Sequence, residues 1–365
     1  MRDIIILGGA RDYHALDWYR TVKKLMPKRH VILLTDLIGG EGFDVIIDQS
    51  DKVEKLLIID NLLFKKQSKM GNVWRNLIKL IVLPVQIYYL KQYAKNHPDS
   101  IYHAHPTYYM LVCWLSGIKF IGTPQGDEVL IRPHRSFIYK YFAKKALQAA
   151  DYVTVDSVNM QKGIKELSGV NALIYQYGVD VEALLRYKTE YRTKITSIRG
   201  MLPLYRIQEI LEARNSNLTP AQGIHFIYPY QDENYYVKIK QALIPDDNDL
   251  GRLDKEAMFT LLSESFLVLS IPMSDSSPRS VYESIFLGCC VAVTYNNWIE
   301  ALPSCMRSRL FIVELEDPTW FSKAVNFADN LTKTPYLPSQ EALEMFDQNR
   351  SIGKVITALY SEASS

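Results

Sequence analysis

Residues 266–293 read FLVLSIPMSDSSPRSVYESIFLGCCVAV. An apolar strand, Phe266–Leu269, opens the run, and a second, Val291–Val293, closes it; between them lies a helical pattern over 278–287. Strand, helix and strand in so short a span imply a crossover between parallel neighbours. Pro278 suits the first helical position, and Gly288 suits the residue that ends the helix. Small residues at 276 and 277 leave backbone N–H groups unshielded at a helix start, which is a ready place for an anion. Glu283 falls on the second turn, where a carboxylate can accept two hydrogen bonds from a diol while the helix start holds a diphosphate. The same residues equally describe an ordinary capped helix with a solvated glutamate.

The pattern continues in both directions. Further strands are expected at Lys194–Ile198, His225–Tyr228 and Leu310–Val313, with helices over 204–213, 232–242 and 254–263. Before them, strands are expected at Ile4–Leu7, His30–Thr35, Phe43–Ile47, Ser100–His103, Phe120–Thr123, Tyr152–Val155 and Ile174–Tyr177. Helical patterns cover 14–25, 72–95 (one long helix kinked at Pro84), 108–115 and 136–149. Such alternation predicts an α/β chain of two Rossmann-like, doubly wound parallel sheets. The first domain is expected over 1–178 and the second over 179–345, with a terminal helix at about 346–362 that packs back on the first.

The 365 residues suit two domains at roughly 150 each. Hydrophobic residues make up 48% and charged ones 22%, which excludes disorder and collagen. Cys113, Cys289, Cys290 and Cys305 have no metal-ligand spacing, and buried thiols in a reducing cytoplasm fit them best. Net charge is +2 but uneven. Residues 1–185 carry 24 Lys/Arg against 18 Asp/Glu, or +6; the remainder carries 18 against 22, or −4. A basic first half favours anionic partners there. Nucleic acid is not expected, since no basic run accompanies a nucleic-acid-binding motif. The stretch from Leu77 to Leu90, broken by Lys79 and Pro84, is too short to span a bilayer.

The run Ser274-Asp275-Ser276-Ser277-Pro278-Arg279-Ser280, followed by Glu283 and Gly288, resembles the acid, seven residues, acid signature of the retaining glycosyltransferases called group 1 (family four). This chain departs from that pattern at Asp275, where Glu is commoner, at Ser276 (Gly) and at Ser284 (Ala). Ile198-Arg199-Gly200, with Arg206 after a short loop, is similar to the family's pair of cations that neutralise a donor diphosphate. Gly8-Gly9 resembles its opening loop, and Tyr102-His103-Ala104-His105 with Thr123-Pro124-Gln125-Gly126-Asp127 its two strand-end motifs, Gln125 standing where His is frequent.

The resemblance implies a GT-B fold, two such domains facing a central cleft. It implies a hexosyltransferase that moves a sugar from a nucleotide-diphosphate donor, UDP favoured over GDP, to an acceptor hydroxyl with retention. Arg199, Arg206, Asp127 and His105 would be the catalytic group. Gly8, Gly9, Asp275, Ser276, Ser277, Pro278, Arg279, Ser280 and Glu283 would bind the nucleotide sugar, with Asp275 on the sugar and Glu283 on the ribose. No metal or other cofactor is expected. Two alternatives stay open: a sugar-nucleotide epimerase of the same fold, and a non-catalytic subunit of a glycan assembly complex.

Residues 64–96 mix Lys65, Lys66, Lys69, Arg75, Lys79, Lys91 and Lys95 with Trp74, Tyr88 and Tyr89. This suits a helix lying on an anionic membrane surface, and equally a core-packed helix with a basic outer face. On the first reading the acceptor is a lipid-linked glycan handled at the inner leaflet by a cytoplasmic, peripheral enzyme. The acidic run Asp246-Asp247-Asn248-Asp249 is expected to be a solvated turn rather than a metal site.

Overall fold

The structure is a computed structural model that describes residues 2–9, 12–35, 52–55, 69–189, 191–216, 222–275 and 277–360. The chain forms two compact units, Met1–Tyr177 with Asn349–Ser365, and Gly178–Gln348.

In the first unit the strands β1 (Ile4–Leu7), β2 (Val31–Thr35), β3 (Val53–Lys55), β4 (Ile101–Ala104), β5 (Ile121–Gly122), β6 (Tyr152–Val155) and β7 (Leu173–Ile174) form one parallel sheet. Its order is β3-β2-β1-β4-β5-β6-β7. Ile4 pairs with both Val31 and Ile101, which sets the register at the centre. The longer helices are α1 (Tyr13–Leu25), α2 (Lys69–Asn96), α3 (Thr107–Ser116), α4 (Phe137–Ala149) and α5 (Val158–Ser168). Side chains alternate across a strand, so Ile5 and Leu7 face one core with Met110 and Leu147, while Ile4 and Ile6 face another with Trp18 and Val22. The strand expected at Phe43–Ile47 lies outside the described residues.

The second unit repeats the plan with β8 (Lys194–Ser197), β9 (Ile224–Ile227), β10 (Asn248–Gly251), β11 (Ser265–Ser270), β12 (Cys290–Thr294) and β13 (Leu310–Val313). They are parallel in the order β10-β9-β8-β11-β12-β13. Helices α6 (Ile207–Asn215), α7 (Glu233–Gln241), α8 (Lys255–Ser263), α9 (Arg279–Leu287) and α10 (Trp320–Thr332) cover its faces. Leu267 and Leu269 enter one core, and Val268, between them, enters the other. Cys289 and Cys290 are buried free thiols at the start of β12. Gly288 ends α9 at φ 99°, a left-handed conformation that glycine adopts without strain.

Residues 246–249 correct the sequence reading. Asn248 and Asp249 belong to the edge strand β10, and Asp247 is fully buried in an ion pair with Arg214. The Asp247 carboxylate also accepts from the Ile224 N–H (2.8 Å) and the Ile244 N–H (2.9 Å), tying the β10 edge to β9. A buried charge persists only when paired and hydrogen-bonded, and Arg214 supplies that partner. A helix was also expected from 204; it begins at Ile207, because Pro203–Tyr205 is a 3-10 turn and Arg206 is left-handed.

A last helix, α11 (Gln348–Val355), continues as a wider turn over Ile356–Tyr360. Ile352, Val355, Leu359 and Tyr360 pack with Ile4, Ile6 and Trp18 in the first unit. No described helix is long and apolar enough to cross a membrane.

Candidate functional site

Each sheet reverses its strand order once, between β1 and β4 in the first and between β8 and β11 in the second. In open parallel sheets a crevice forms outside the carboxyl ends of the strands at such a reversal, and ligands bind there. The residues singled out in the sequence flank these two points. Gly8 follows β1, His105 follows β4, Arg199 follows β8, and 272–275 follow β11.

In the second unit Arg199 and Asp275 meet. The guanidinium Nη2 donates to Asp275 Oδ2 at 2.6 Å, and Nε donates to Ser270 Oγ at 2.6 Å. Both partners of the ion pair are largely buried, Arg199 at 15% exposure and Asp275 at 18%. The Tyr205 ring lies 5.9 Å from the guanidinium carbon, and its hydroxyl bonds that of Tyr230 at 2.6 Å. Arg206 is the one non-glycine residue at positive φ among those described (φ 53°). That backbone is strained, and strain of this kind gathers at functional loops. Its Nη1 reaches the Pro272 carbonyl at 3.4 Å, and the Met273 N–H donates to the Leu204 carbonyl at 2.9 Å. The loops after β8 and β11 are thus bound together, with two arginines between them.

Helix α9 starts beside this loop. Pro278 is its N-cap rather than its first helical residue and supplies no side-chain bond to the helix start. The first-turn N–H groups of Arg279 and Ser280 therefore stand ahead of the Val281 and Tyr282 bonds to the Pro278 carbonyl. Ser277 precedes them; Ser276 lies outside the described residues. Glu283 is buried one turn on, its Oε1 3.3 Å from Arg279 Nε. The Asp275 N–H donates to Asn296 Oδ1 at 3.3 Å. A helix start, two guanidinium groups and a buried carboxylate therefore gather within one unit.

The sequence reading missed Ser270, Asn296, Tyr205 and Tyr230 here. Ser270 had a usable signal, since a polar residue ending an apolar strand needs a partner near the strand end.

In the first unit Gly8 is closely packed. A Cβ on it would lie 2.5 Å from the Ala15 Cβ, so glycine lets α1 close on β1. Around Gly9 the nearest atoms to such a Cβ lie at 3.9 and 4.0 Å, so this glycine leaves its backbone open to approach. His105 is buried against Trp18, its Nε2 has no hydrogen-bond partner, and burial with the nearby His14 lowers its pKa to about 3. It is neutral in water at ordinary pH. His103 is instead fully engaged, by the Tyr360 hydroxyl (2.6 Å) and the Thr123 hydroxyl (2.7 Å).

Asp127 is half exposed and paired with Arg132 at 2.7 Å. The neighbouring acid, Glu128, is the one turned inward. One of its oxygens accepts from the Thr107 N–H, the Thr107 hydroxyl and the Gln125 N–H. Gln125, the residue that departs from the family pattern, donates to Asp12 at 2.7 Å, and burial raises the Asp12 carboxyl pKa.

A groove of about 1000 Å³ in this unit lies at the opposite, amino-terminal end of the strands, lined by Ile101, Ile121, Tyr152, Lys91, Lys95 and Lys119. It is remote from the strand-end residues above. Among the described residues no group of three His, Cys, Asp or Glu side chains is placed to hold a metal.

These two units, each reversing at its centre, define the GT-B fold, and solved structures carry it over the whole chain. HepE of Anabaena, in complex with UDP and glucose, superimposes with TM-score 0.71 at 14% identity, covering 98% of this chain and 100% of that one. Sucrose-phosphate synthase of Thermosynechococcus elongatus does so with TM-score 0.73 at 12% identity, covering 99% and 100%. A UDP-GlcNAc 2-epimerase of Neisseria meningitidis, bound to UDP-GlcNAc, gives 0.62 at 11%, covering 99% and 100%. No family model matches the chain, and no curated protein matches it in sequence.

Proposed function

We propose that the protein is a retaining glycosyltransferase that moves a sugar from a nucleotide-diphosphate donor, a UDP-sugar, to an acceptor hydroxyl. One observation carries the reading. At the reversal of the second sheet, Arg199 and Arg206 lie with the loop that leads into the α9 start, and Glu283 is buried one turn inside it. Charge grows on a departing diphosphate, and preorganised donors in a dry site stabilise that charge most. Arg199, Arg206 and the N–H groups of Ser277, Arg279 and Ser280 supply those donors, while Glu283 takes the ribose hydroxyls. Asp275 holds Arg199 in the absence of donor; when phosphate oxygens replace it on the guanidinium, its carboxylate is released toward a sugar hydroxyl.

A donor phosphate oxygen receives the acceptor proton, so no protein base is needed. His105, held neutral, serves as a hydrogen-bonding group on the acceptor side with Gly9 and Asp127. HepE, crystallised with UDP and glucose, supports a UDP-sugar as donor. We place the reaction in cell-surface polysaccharide or glycolipid assembly, with a lipid-linked glycan as acceptor at the inner membrane face. A second reading, sugar-nucleotide epimerisation, has the Neisseria meningitidis epimerase in its favour.

Native mass spectrometry of the protein with a panel of sugar nucleotides identifies the donor. Incubation of that donor with candidate acceptors then separates the readings. Transfer predicts release of nucleoside diphosphate and a glycoside of unchanged anomeric configuration. An epimerised sugar nucleotide formed without acceptor refutes transfer.

A further inference from the structure

Helices α2, α3 and α4 lie side by side on one face of the first sheet, with α3 in contact with both of the others. Their sequences contain no aspartate or glutamate. Five Lys/Arg stand in α2 (Lys69, Arg75, Lys79, Lys91, Lys95), none in α3, and three in α4 (Lys140, Lys144, Lys145). A solvated helix face normally mixes both signs of charge and keeps its apolar stripe for the core. Here Ile78 and Leu90 of α2 and Ala143, Ala146 and Leu147 of α4 are buried in the usual way, but the outer faces are apolar as well. In α2 the exposed positions Leu77, Leu80, Ile81, Pro84, Val85 and Tyr88 follow helical spacing along one side, and Leu80 is 65% exposed. The side turned to the protein carries Gln86, wholly buried and bonded to the Tyr108 hydroxyl, and Lys79, whose Nζ lies 4.2 Å from the Tyr108 ring centre.

The outer face of α4 is likewise apolar. Phe137 is 82% exposed, Ile138 60% and Tyr141 53%, while Lys140 and Lys144 project among them. Two flanking helices thus show solvent large apolar side chains in a frame of one charge sign. Exposed apolar surface of this extent marks a docking site, and aromatic residues among lysines suit the boundary between headgroups and acyl chains.

We propose that the outer faces of α2 and α4 form a docking surface for an anionic lipid bilayer. Phe137, Ile138 and Tyr141 of α4, with Leu80, Ile81 and Tyr88 of α2, enter the headgroup boundary, and the lysines between them meet lipid phosphates. The idea extends the membrane reading of 64–96 to a second helix which that reading left out. It does not depend on sugar transfer, so either can fail alone.

The test is flotation of the full protein with phosphatidylcholine vesicles and with vesicles that also contain phosphatidylglycerol. The wild type should bind the anionic vesicles, more weakly as salt rises, and leave the neutral ones unbound. The exposed pairs Phe137→Glu with Tyr141→Glu, and Leu80→Glu with Ile81→Glu, should each weaken binding by about tenfold or more, since each adds two like-signed charges against the membrane. Their thermal melts and, once a donor is known, their donor affinity should stay as in the wild type. Wild-type failure to bind anionic vesicles would overturn the proposal. So would unchanged binding by the α4 pair, or a wild-type dimer in light scattering that both pairs dissociate, which would make the face a contact between copies of this chain.

Discussion

Arg199→Ala is the perturbation from which the site reading draws its sharpest consequence. A guanidinium has five N–H donors. Arg199 commits one on Nε to Ser270 and one on Nη2 to Asp275, leaving three in a fixed fork for phosphate oxygens. Loss of one preorganised oxyanion donor elsewhere lowers turnover by about two to three orders of magnitude, or roughly 2.7–4 kcal/mol. The same fall is expected here, with a smaller loss of UDP affinity, because the charge is greatest in the transition state. Arg199→Lys should recover only part of the activity, since an ammonium cannot reach Ser270, Asp275 and phosphate together. The assay is steady-state release of nucleoside diphosphate, with calorimetry of UDP binding and a thermal melt run on the same samples. The melt matters because Arg199 also neutralises a carboxylate that is only 18% exposed. Pairing the change with Asp275→Asn separates the roles. If the double variant regains wild-type turnover, or if Arg199→Ala never loses it, Arg199 is a counter-ion for Asp275 and the diphosphate argument is wrong.

Glu283→Ala should weaken UDP binding by about 1.5–3 kcal/mol with the fold intact; an unchanged calorimetric affinity takes the ribose role from Glu283. Asp247→Ala should leave Arg214 buried without its partner and lower unfolding free energy by about 3–5 kcal/mol in urea titrations; a loss below about 1 kcal/mol would mean that Arg214 finds another partner. The histidines set a pH slope. Burial holds His105 at about 3 and lowers His103 too, while the unfolded chain takes up protons as pH falls below the ordinary 6.5. Stability is therefore complete above 6.5 and declines toward 3, by up to about 1.4 kcal/mol per pH unit for each histidine. His105→Gln should flatten that decline between about pH 7 and about pH 5, and an unaltered slope would place the proton uptake elsewhere.

What the sequence disclosed follows a physical division. Strands such as β1, β2 and β12 were readable because they are buried on both faces and so are near-continuous apolar runs. The edge strand β10, Asn248–Gly251, was not, since it is mostly exposed and its polar residues need satisfy only one neighbour, β9. In the site, residue types were readable but pairings were not. Arg199 and Asp275 lie 76 positions apart, and they meet because β8 and β11 are adjacent at the reversal of the sheet. Local pattern specifies a strand but not its neighbour. His105 is similar: a histidine near a strand end is legible, whereas its neutrality depends on burial against Trp18, which stands on the first crossover helix, α1. Gly8 has a packing role that no local pattern shows, because a Cβ there would meet Ala15.

The return of α11 to the first unit has a consequence for how the protein is made. The Tyr360 hydroxyl accepts from the Trp18 indole at 3.1 Å and bonds His103, so two of the innermost polar groups of the first unit wait for a residue synthesised after the whole second unit. As the chain leaves the ribosome, the sheet of the first unit can form, but one of its faces lacks Ile352, Val355 and Leu359. The unit that is translated first is therefore the one that is completed last. Its open apolar face stays exposed through most of translation, which makes the nascent chain a natural client for a holding chaperone. A chain stopped short of α11 should be recovered with its second unit folded and its first unit sensitive to protease.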